Sequence, residues 1–170
     1  QGMKIAILGA GLMGRLLACE LARHGHELEV FDAGGPQALQ SAARAAAAML
    51  APLAESAVAE DAVVNMGLYG LDRWPQLIAA LDSPVFFQRE GTVVVWHQQD
   101  QADASRLTRQ VGATGQRLPS LPTLQTLDKA ALAVLEPGLT TRFTQGLYLP
   151  GEGQLDNHQL LAAMLQQLER

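Results

Sequence analysis

Two hydrophobic stretches at the start of the chain predict a strand followed by an amphipathic helix. Residues Lys4 to Leu8 form a short apolar run of the kind that a buried parallel strand shows. From Leu12 to His24 apolar residues return at helical spacing, which predicts a helix with one face packed on the sheet. That face carries Met13, Leu17 and Leu21, with Ala18 beside them. Gly25 predicts a left-handed cap after the helix.

The next elements are a second strand and an alanine-rich segment. Glu27 to Phe31 predicts a strand, and Asp32 lies at its end. After a glycine-proline loop, the residues from Gln37 to Leu50 are mostly alanine and other good helix formers. This segment therefore predicts a helix, which Pro52 ends.

The remaining sequence predicts helices first and then a region richer in strands. Apolar positions from Ala57 to Leu71 predict a helix that is buried on one side and is kinked or restarted at Pro75. Two β-branched and aromatic runs, Val85 to Gln88 and Thr92 to Trp96, are joined by three residues and predict a hairpin. The later segments predict helices at 100–111 and 128–135 and a strand at 146–149. The last predicted helix is capped by Asp156 and carries an apolar stripe from Leu160 to Leu168.

Composition narrows the class of protein without naming a partner. The 170 residues are 48% hydrophobic, which is enough to bury a sizeable core. A net charge of -5 without any lysine or arginine cluster argues against nucleic acid or an anionic membrane as partner. A single cysteine, Cys19, and four scattered histidines argue against a disulfide framework and a zinc site. We expect a soluble, cytoplasmic protein without a membrane span or a metal, and homo-oligomers are compatible with the sequence.

The apolar N-terminus has a second interpretation, as a secretion signal. Lys4 precedes the apolar run from Ile5 to Met13, and the residues up to Cys19 faintly resemble a lipoprotein cleavage box. Arg15 interrupts this stretch beside the supposed cleavage site. The glycine spacing favours a different explanation.

The glycines form the motif G-x-G-x-x-G at Gly9, Gly11 and Gly14. Such a motif alone is weak evidence, but here it follows a predicted strand, opens a predicted helix and precedes a second strand. Gly9 suits a tight turn, Gly11 lets a pyrophosphate approach the backbone, and Gly14 lets helix and strand pack closely. The free amides and positive potential of a helix N-terminus favour phosphate. The sequence therefore predicts a dinucleotide-binding βαβ unit.

Asp32 is placed to select among dinucleotides. Its carboxylate would accept hydrogen bonds from the adenosine ribose and would repel a 2'-phosphate, which disfavours NADP. FAD and NAD present the same adenosine diphosphate, so the βαβ unit alone leaves both open.

Further motifs resemble the glycine oxidases of the D-amino acid oxidase family. The residues from Ala43 to Pro52 resemble the signature S-x-A-A-A-G-M-L-A-P, and Arg89 to Val93 resembles the family's R-x-G-T strand pair. Leu135 to Pro137 is similar to the L-E-P element, and Leu147 to Asp156 to the segment L-Y-L-P-x-E-G-Q-V-D. The resemblance covers nearly the whole chain in the right order.

The resemblance implies a fold and an activity. The fold class is α/β: a Rossmann-like FAD-binding βαβ domain with part of a smaller α+β substrate domain, truncated relative to the longer family members. The activity is FAD-dependent oxidative deamination of glycine or a small D-amino acid. The flavin accepts hydride and molecular oxygen reoxidises it. Some glycine oxidases of the family serve thiamine biosynthesis.

Carried over by position, the resemblance also implies which residues touch FAD. The expected cofactor contacts are Gly9, Gly11, Leu12, Met13, Gly14, Asp32, Arg44, Ala47, Ala48, Met49 and Leu50. Two of the family's residues are replaced: Ala48 stands at a glycine position and Ala43 at a serine or threonine position. No catalytic residue is expected before Arg170, because the family's substrate-binding arginine and tyrosine come later.

We expect the first part of the FAD-binding domain at 3–82, a substrate-domain segment at 83–146, and a return to the FAD-binding domain at 147–170. Two other functions remain open at this stage. One is a dinucleotide-binding module without catalysis, and the other is an NAD-dependent dehydrogenase domain, which only the glycine motif supports.

Overall fold

The computed structural model describes residues 2–169, so residue 170, the end of the predicted return segment, lies outside the described residues. The elements in chain order are β1 (Lys4–Leu8), α1 (Leu12–Arg23), β2 (Glu27–Phe31), α2 (Ala42–Ala45), β3 (Met49–Leu50), α3 (Pro52–Glu55), α4 (Asp61–Ala79), β4 (Phe87–Gln88), β5 (Thr92–Val94), α5 (Gln101–Arg117), β6 (Gln125–Asp128), α6 (Lys129–Leu135), β7 (Gln145–Leu149), β8 (Gly153–Leu155) and α7 (Asn157–Leu168). Short 3-10 helices lie at Gln98–Asp100 and Pro137–Leu139. The α/β class is as expected.

The chain divides into two compact units. The first contains the residues up to Met49, then Trp74–Phe87, and the residues from Leu155 onward. The second contains Leu50–Arg73 and Gln88–Gln154. These bounds differ from the predicted segments 3–82, 83–146 and 147–170. The assignment of a cofactor role and a substrate role to different parts of the chain stays a prediction.

The first unit is built on the predicted strand-turn-helix-strand. β1 and β2 pair in parallel from Lys4 opposite Glu27 to Leu8 opposite Phe31. Gly25 after α1 has a φ of 79°, the left-handed value predicted for a helix cap. One face of this pair is more open than the apolar run suggested, because Leu8 is 84% exposed.

The buried face of α1 differs from the predicted one. Met13 is 77% exposed and Leu17 is 52% exposed, whereas Ala18 is fully buried and Arg15 is only 2% exposed. Residues 15 and 18 are three apart and share a helix face, and α1 packs against α7 and β2. The small side chain of Ala18 allows close approach, and the arginine is satisfied by hydrogen bonds described below.

The alanine-rich segment does not form the predicted helix over 37–50. It contains only the single turn α2, after which the chain extends into β3, and Pro52 begins α3 instead of ending a helix. Ala48 has a left-handed φ of 55°, which no α-helix contains. The side-chain amide of Asn157 donates to the carbonyl of Ala46 at 2.7 Å and to that of Ala43. These tertiary bonds take up the carbonyls that a longer helix would use.

The last helix confirms its predicted cap and apolar stripe. Asp156 accepts a hydrogen bond from the amide of Gln159 at 2.8 Å, so it is the N-cap of α7. The buried residues of this helix are Leu160, Leu161, Ala163 and Met164.

The second unit contains an antiparallel sheet in the order β5-β7-β6. Its core is formed by Leu53, Val64, Val111, Leu121, Leu147 and Leu149. The predicted hairpin between the strands at 85–88 and 92–96 is wrong, since β4 and β5 belong to different sheets. Gly91 between them has a φ of 87° and donates its amide to the carbonyl of Glu152 at 2.9 Å, which directs β5 to β7.

None of the helices within residues 2–169 combines the length and the apolarity that a membrane span needs. The same residues contain no group of three or more His, Cys, Asp or Glu side chains that could hold a metal ion.

Candidate dinucleotide-binding site

The turn between β1 and α1 is held from two sides. Gly9 has a φ of 103°, which favours glycine, and its amide donates to the carbonyl of Phe31 at 2.7 Å. The carboxylate of Asp32 accepts from the amide of Ala10 at 2.8 Å. The Nε of Arg15 donates to the carbonyl of Ala10 at 2.7 Å. The backbone of the turn is therefore fixed both to the end of β2 and to α1.

Gly11 and Gly14 lack side chains for different reasons. A Cβ on Gly14 would lie 1.9 Å from the carbonyl oxygen of Gly9, so α1 can meet the end of β1 only through a glycine. Gly11 has a φ of -72° and a ψ of -169°, values that any residue adopts. The nearest atom to an added Cβ there would be the Oγ of Ser41, at 3.4 Å. The fold therefore requires glycine at 14 but tolerates a side chain at 11.

Asp32 is an ionised group at the end of β2. One carboxylate oxygen accepts from the amide of Ala10 and the other from the amide of Gly34, each at 2.8 Å. These two hydrogen bonds, that from Ala10 most strongly, lower the pKa of Asp32. Each carboxylate oxygen can accept more than one hydrogen bond, so a ribose hydroxyl can bind while the amides stay bound. The ribose contact itself remains a prediction.

A cavity of about 560 Å³ opens beside this turn. It is lined by Leu8, Gly9, Phe31, Asp32, Ala33, Gly34, Gln40 and Ser41. This volume lies in the range of sites that bind small molecules. Two of the expected cofactor contacts, Gly9 and Asp32, thus line one cavity together with polar side chains from the loop that follows β2.

Gln40 and Ser41 also line the cavity, although neither is among the residues expected from the sequence. The Oγ of Ser41 accepts from the amide of Ala43 at 3.3 Å and caps α2. A hydroxyl that accepts one hydrogen bond keeps its proton for a further partner. A serine directly before a helical run is an N-cap signal, so Ser41 could have been found from the sequence.

The first turn of α1 adds positive potential to the site. The N-cap residue is Gly11, no side chain caps the helix, and the first turn contains no acidic residue. The leading amides of a helix have no partner within it, and together with the helix dipole they attract anions. The open space at Gly11, the cavity and these donors fit the diphosphate of a dinucleotide.

The other residues expected to contact the cofactor do not line this cavity. Leu12 and Met13 lie in the first turn of α1, and Arg44 donates to the carbonyl of Gln37 at 3.3 Å. Ala47, Ala48, Met49 and Leu50 are not among the residues that line the cavity. The cofactor contacts of all these residues stay predictions.

Comparison with known families bears on the two cofactors that the βαβ unit leaves open. The family model described as FAD dependent oxidoreductase matches residues 4–170. The chain belongs to the FAD dependent oxidoreductase family. This membership confirms the resemblance noted from the motifs and gives no support to an NAD-dependent dehydrogenase domain.

Individual relatives agree with this family. A protein of Rhizobium etli that carries the name thiamine biosynthesis oxidoreductase ThiO is 34% identical over 167 residues, which cover 98% of this chain and 46% of the relative. The crystal structure of glycine oxidase from Geobacillus kaustophilus matches with a TM-score of 0.76 at 23% identity, over 99% of this chain and 45% of that one. Iminodiacetate oxidase from Chelativorans sp. BNC1 matches with a TM-score of 0.72 at 23% identity, over 99% and 44%. The two crystal structures show the fold that this chain shares with them. The chain spans slightly less than half the length of each of the three relatives.

Proposed function

We propose that this chain binds the adenosine diphosphate half of FAD in the cavity beside the turn at residues 9–14. In this proposal the diphosphate lies against the backbone at Gly11 and the first turn of α1, and Asp32 accepts hydrogen bonds from the ribose. The hydroxyl of Ser41 provides a further donor near the diphosphate. Arg44 and residues 47–50 contact the part of the cofactor nearer the flavin.

The observation that carries the proposal is the open space at Gly11. Its backbone conformation suits any residue, and the nearest atom to an added Cβ would be 3.4 Å away. The fold therefore gives no steric reason for a glycine at this position, unlike Gly14. Close approach of a ligand to the backbone supplies that reason, and the neighbouring helix amides indicate that the ligand is an anion.

We further propose that the whole protein is an amine oxidase of the glycine oxidase type. When bound, the flavin would accept a hydride, which carries two electrons, from the substrate amine, and molecular oxygen would then take up those two electrons and become hydrogen peroxide. Support comes from the Rhizobium relative with its thiamine biosynthesis name and from the fold shared with glycine oxidase. Glycine and small D-amino acids are the proposed substrates. We assign the binding of the cofactor to the first unit and the binding of the substrate to the second.

Retention of FAD by the purified chain tests this function. The chain is incubated with FAD or with NAD and then passed through a desalting column. We expect FAD to stay with the protein, with the flavin absorbance near ~450 nm, and ADP to displace it. Passage of all the FAD into the small-molecule fraction, or retention of NAD alone, would contradict the proposal. Hydrogen peroxide release by the whole protein with glycine and with D-alanine then compares the proposed substrates.

The variant Gly11→Ala tests whether this retention depends on the turn at 9–14. It leaves the cavity walls and the net charge unchanged and adds one methyl group at the place assigned to the diphosphate. Loss of FAD from a folded Gly11→Ala protein would show that retention depends on this turn. Equal retention by both proteins would place the cofactor elsewhere.

A further inference from the structure

Arg15 is a buried cation that joins three segments of the first unit. Its side chain is almost completely enclosed, with the residue 2% exposed. The Nε donates to the carbonyl of Ala10, Nη1 donates to that of Leu161 at 2.6 Å, and Nη2 to that of Pro36 at 2.5 Å. One guanidinium thereby connects the turn at 9–14, the loop after β2 and the helix α7.

The bond to Ala10 determines where the next amide points. The carbonyl of Ala10 and the N–H of Gly11 belong to one planar trans peptide, in which they point in opposite directions. Because Arg15 holds that carbonyl from inside the protein, the amide of Gly11 is turned away from Arg15. Asp32 holds the preceding peptide through the amide of Ala10, so the orientation of the turn is determined on both sides.

The charge of Arg15 also bears on the site. The three hydrogen-bond partners given above are carbonyl groups and carry no net charge. Burial lowers the pKa of Arg15, and the negative charge of Asp32 opposes this effect more than any other acidic group does. A positive charge in a low-dielectric interior acts more strongly on a nearby anion than the same charge in water.

We propose that Arg15 is a positioning residue for phosphate: it directs the Gly11 amide towards the diphosphate and places a buried positive charge behind the turn. This inference rests on the proposed nucleotide site and adds a residue that the glycine motif does not include. A residue that merely stabilised the fold would affect all ligands of the site alike. A phosphate-positioning residue affects ADP much more than adenosine.

The test compares ADP with adenosine in three variants of the chain. Arg15→Met removes the charge and all three hydrogen bonds while it keeps a long apolar side chain. Arg15→Lys keeps the charge but cannot reproduce the fork of three bonds. The control Arg23→Met removes one positive charge from the same helix at an exposed position, where the arginine pairs with Glu20 at 3.2 Å. Circular dichroism establishes that each variant is folded, and calorimetric titration gives the two affinities.

We expect Arg15→Met to weaken ADP binding by roughly tenfold or more, the size of a charge-assisted interaction, while adenosine binding changes little. Arg15→Lys should recover part of the ADP affinity, and Arg23→Met should match the native chain. If Arg15→Met does not fold, Arg15→Lys supplies the deciding result. We expect its ratio of ADP affinity to adenosine affinity to be lower than that of the native chain.

Two results would overturn this inference while the nucleotide site stands. One is ADP binding by the Arg15 variants that equals native binding. The other is an equal loss of ADP and adenosine binding, which indicates general support of the fold. Failure of the native chain to bind ADP would refute the proposed function itself, and the role of Arg15 with it.

Discussion

Substitution of alanine for Gly11 and for Gly14 should separate the binding role of the turn from its structural role. At Gly14 the new Cβ would lie 1.9 Å from the carbonyl oxygen of Gly9 and 3.0 Å from its carbonyl carbon. Real Cβ atoms essentially never lie within 3.0 Å of such an atom, so the Cβ and the Gly9 oxygen would have to separate by more than ~1 Å. Overpacking of this kind lowers the free energy of unfolding by about 1–3 kcal/mol.

At Gly11 the same change meets ordinary space, with Ser41 Oγ at 3.4 Å. Alanine is a poorer N-cap than glycine, so we expect a loss of at most about 1 kcal/mol in the free energy of unfolding. The added methyl group would instead occupy the place assigned to the diphosphate. We expect ADP binding to fall by at least about tenfold, which corresponds to about 1.4 kcal/mol.

Urea denaturation and calorimetric ADP titration of both variants measure the two effects separately. The expected pattern is a stable Gly11→Ala protein that has lost ADP binding and a Gly14→Ala protein that is clearly destabilised. Full ADP affinity in Gly11→Ala, or unchanged stability in Gly14→Ala, would refute the reasoning about this turn.

Three other predictions follow from single residues. Asp32→Asn should weaken ADP and adenosine binding together, because its single amide oxygen cannot replace two carboxylate oxygens that accept from Ala10, Gly34 and a ribose. Unchanged titration curves for both ligands would contradict this. Ala48→Gly should raise the free energy of unfolding by about 0.5–1 kcal/mol, since Ala48 has a φ of 55°, and a urea midpoint at or below the native one would contradict it. Burial raises the pKa of Glu152 above its usual value near 4.5, so the free energy of unfolding should fall as the pH rises from that value through the raised pKa. In Glu152→Gln the free energy of unfolding should depend less on pH in this range, and parallel pH profiles of the two proteins would exclude Glu152 as the cause.

The sequence was most informative where the local pattern and the tertiary structure favour the same conformation. The glycine motif after β1, the left-handed Gly25 and the cap at Asp156 were all predicted from a few neighbouring residues. Each depends on backbone geometry or on a bond between residues close in sequence, so local reasoning is sufficient. The same holds for Asp32, whose position at the end of β2 follows from the βαβ pattern.

The sequence was misleading where distant residues decide the conformation. Alanine propensity predicted a helix over 37–50, but Asn157, more than a hundred residues later, binds the carbonyls of Ala43 and Ala46. The family's glycine at position 48 was a usable signal, because Ala48 adopts the left-handed conformation that glycine favours. Burial of Arg15 against α7 and of Glu152 against α3 could not be predicted from spacing, since both depend on contacts between separate segments.

The most direct test of a nucleotide site at this turn is an ADP titration of the native chain followed by the amide resonances of the backbone. We predict saturable shifts that are largest at Gly11 and the following residues of the first turn of α1, with smaller shifts at Gly34 and Ser41. The absence of saturable shifts, or shifts concentrated away from residues 9–14 and 32–41, would contradict the account.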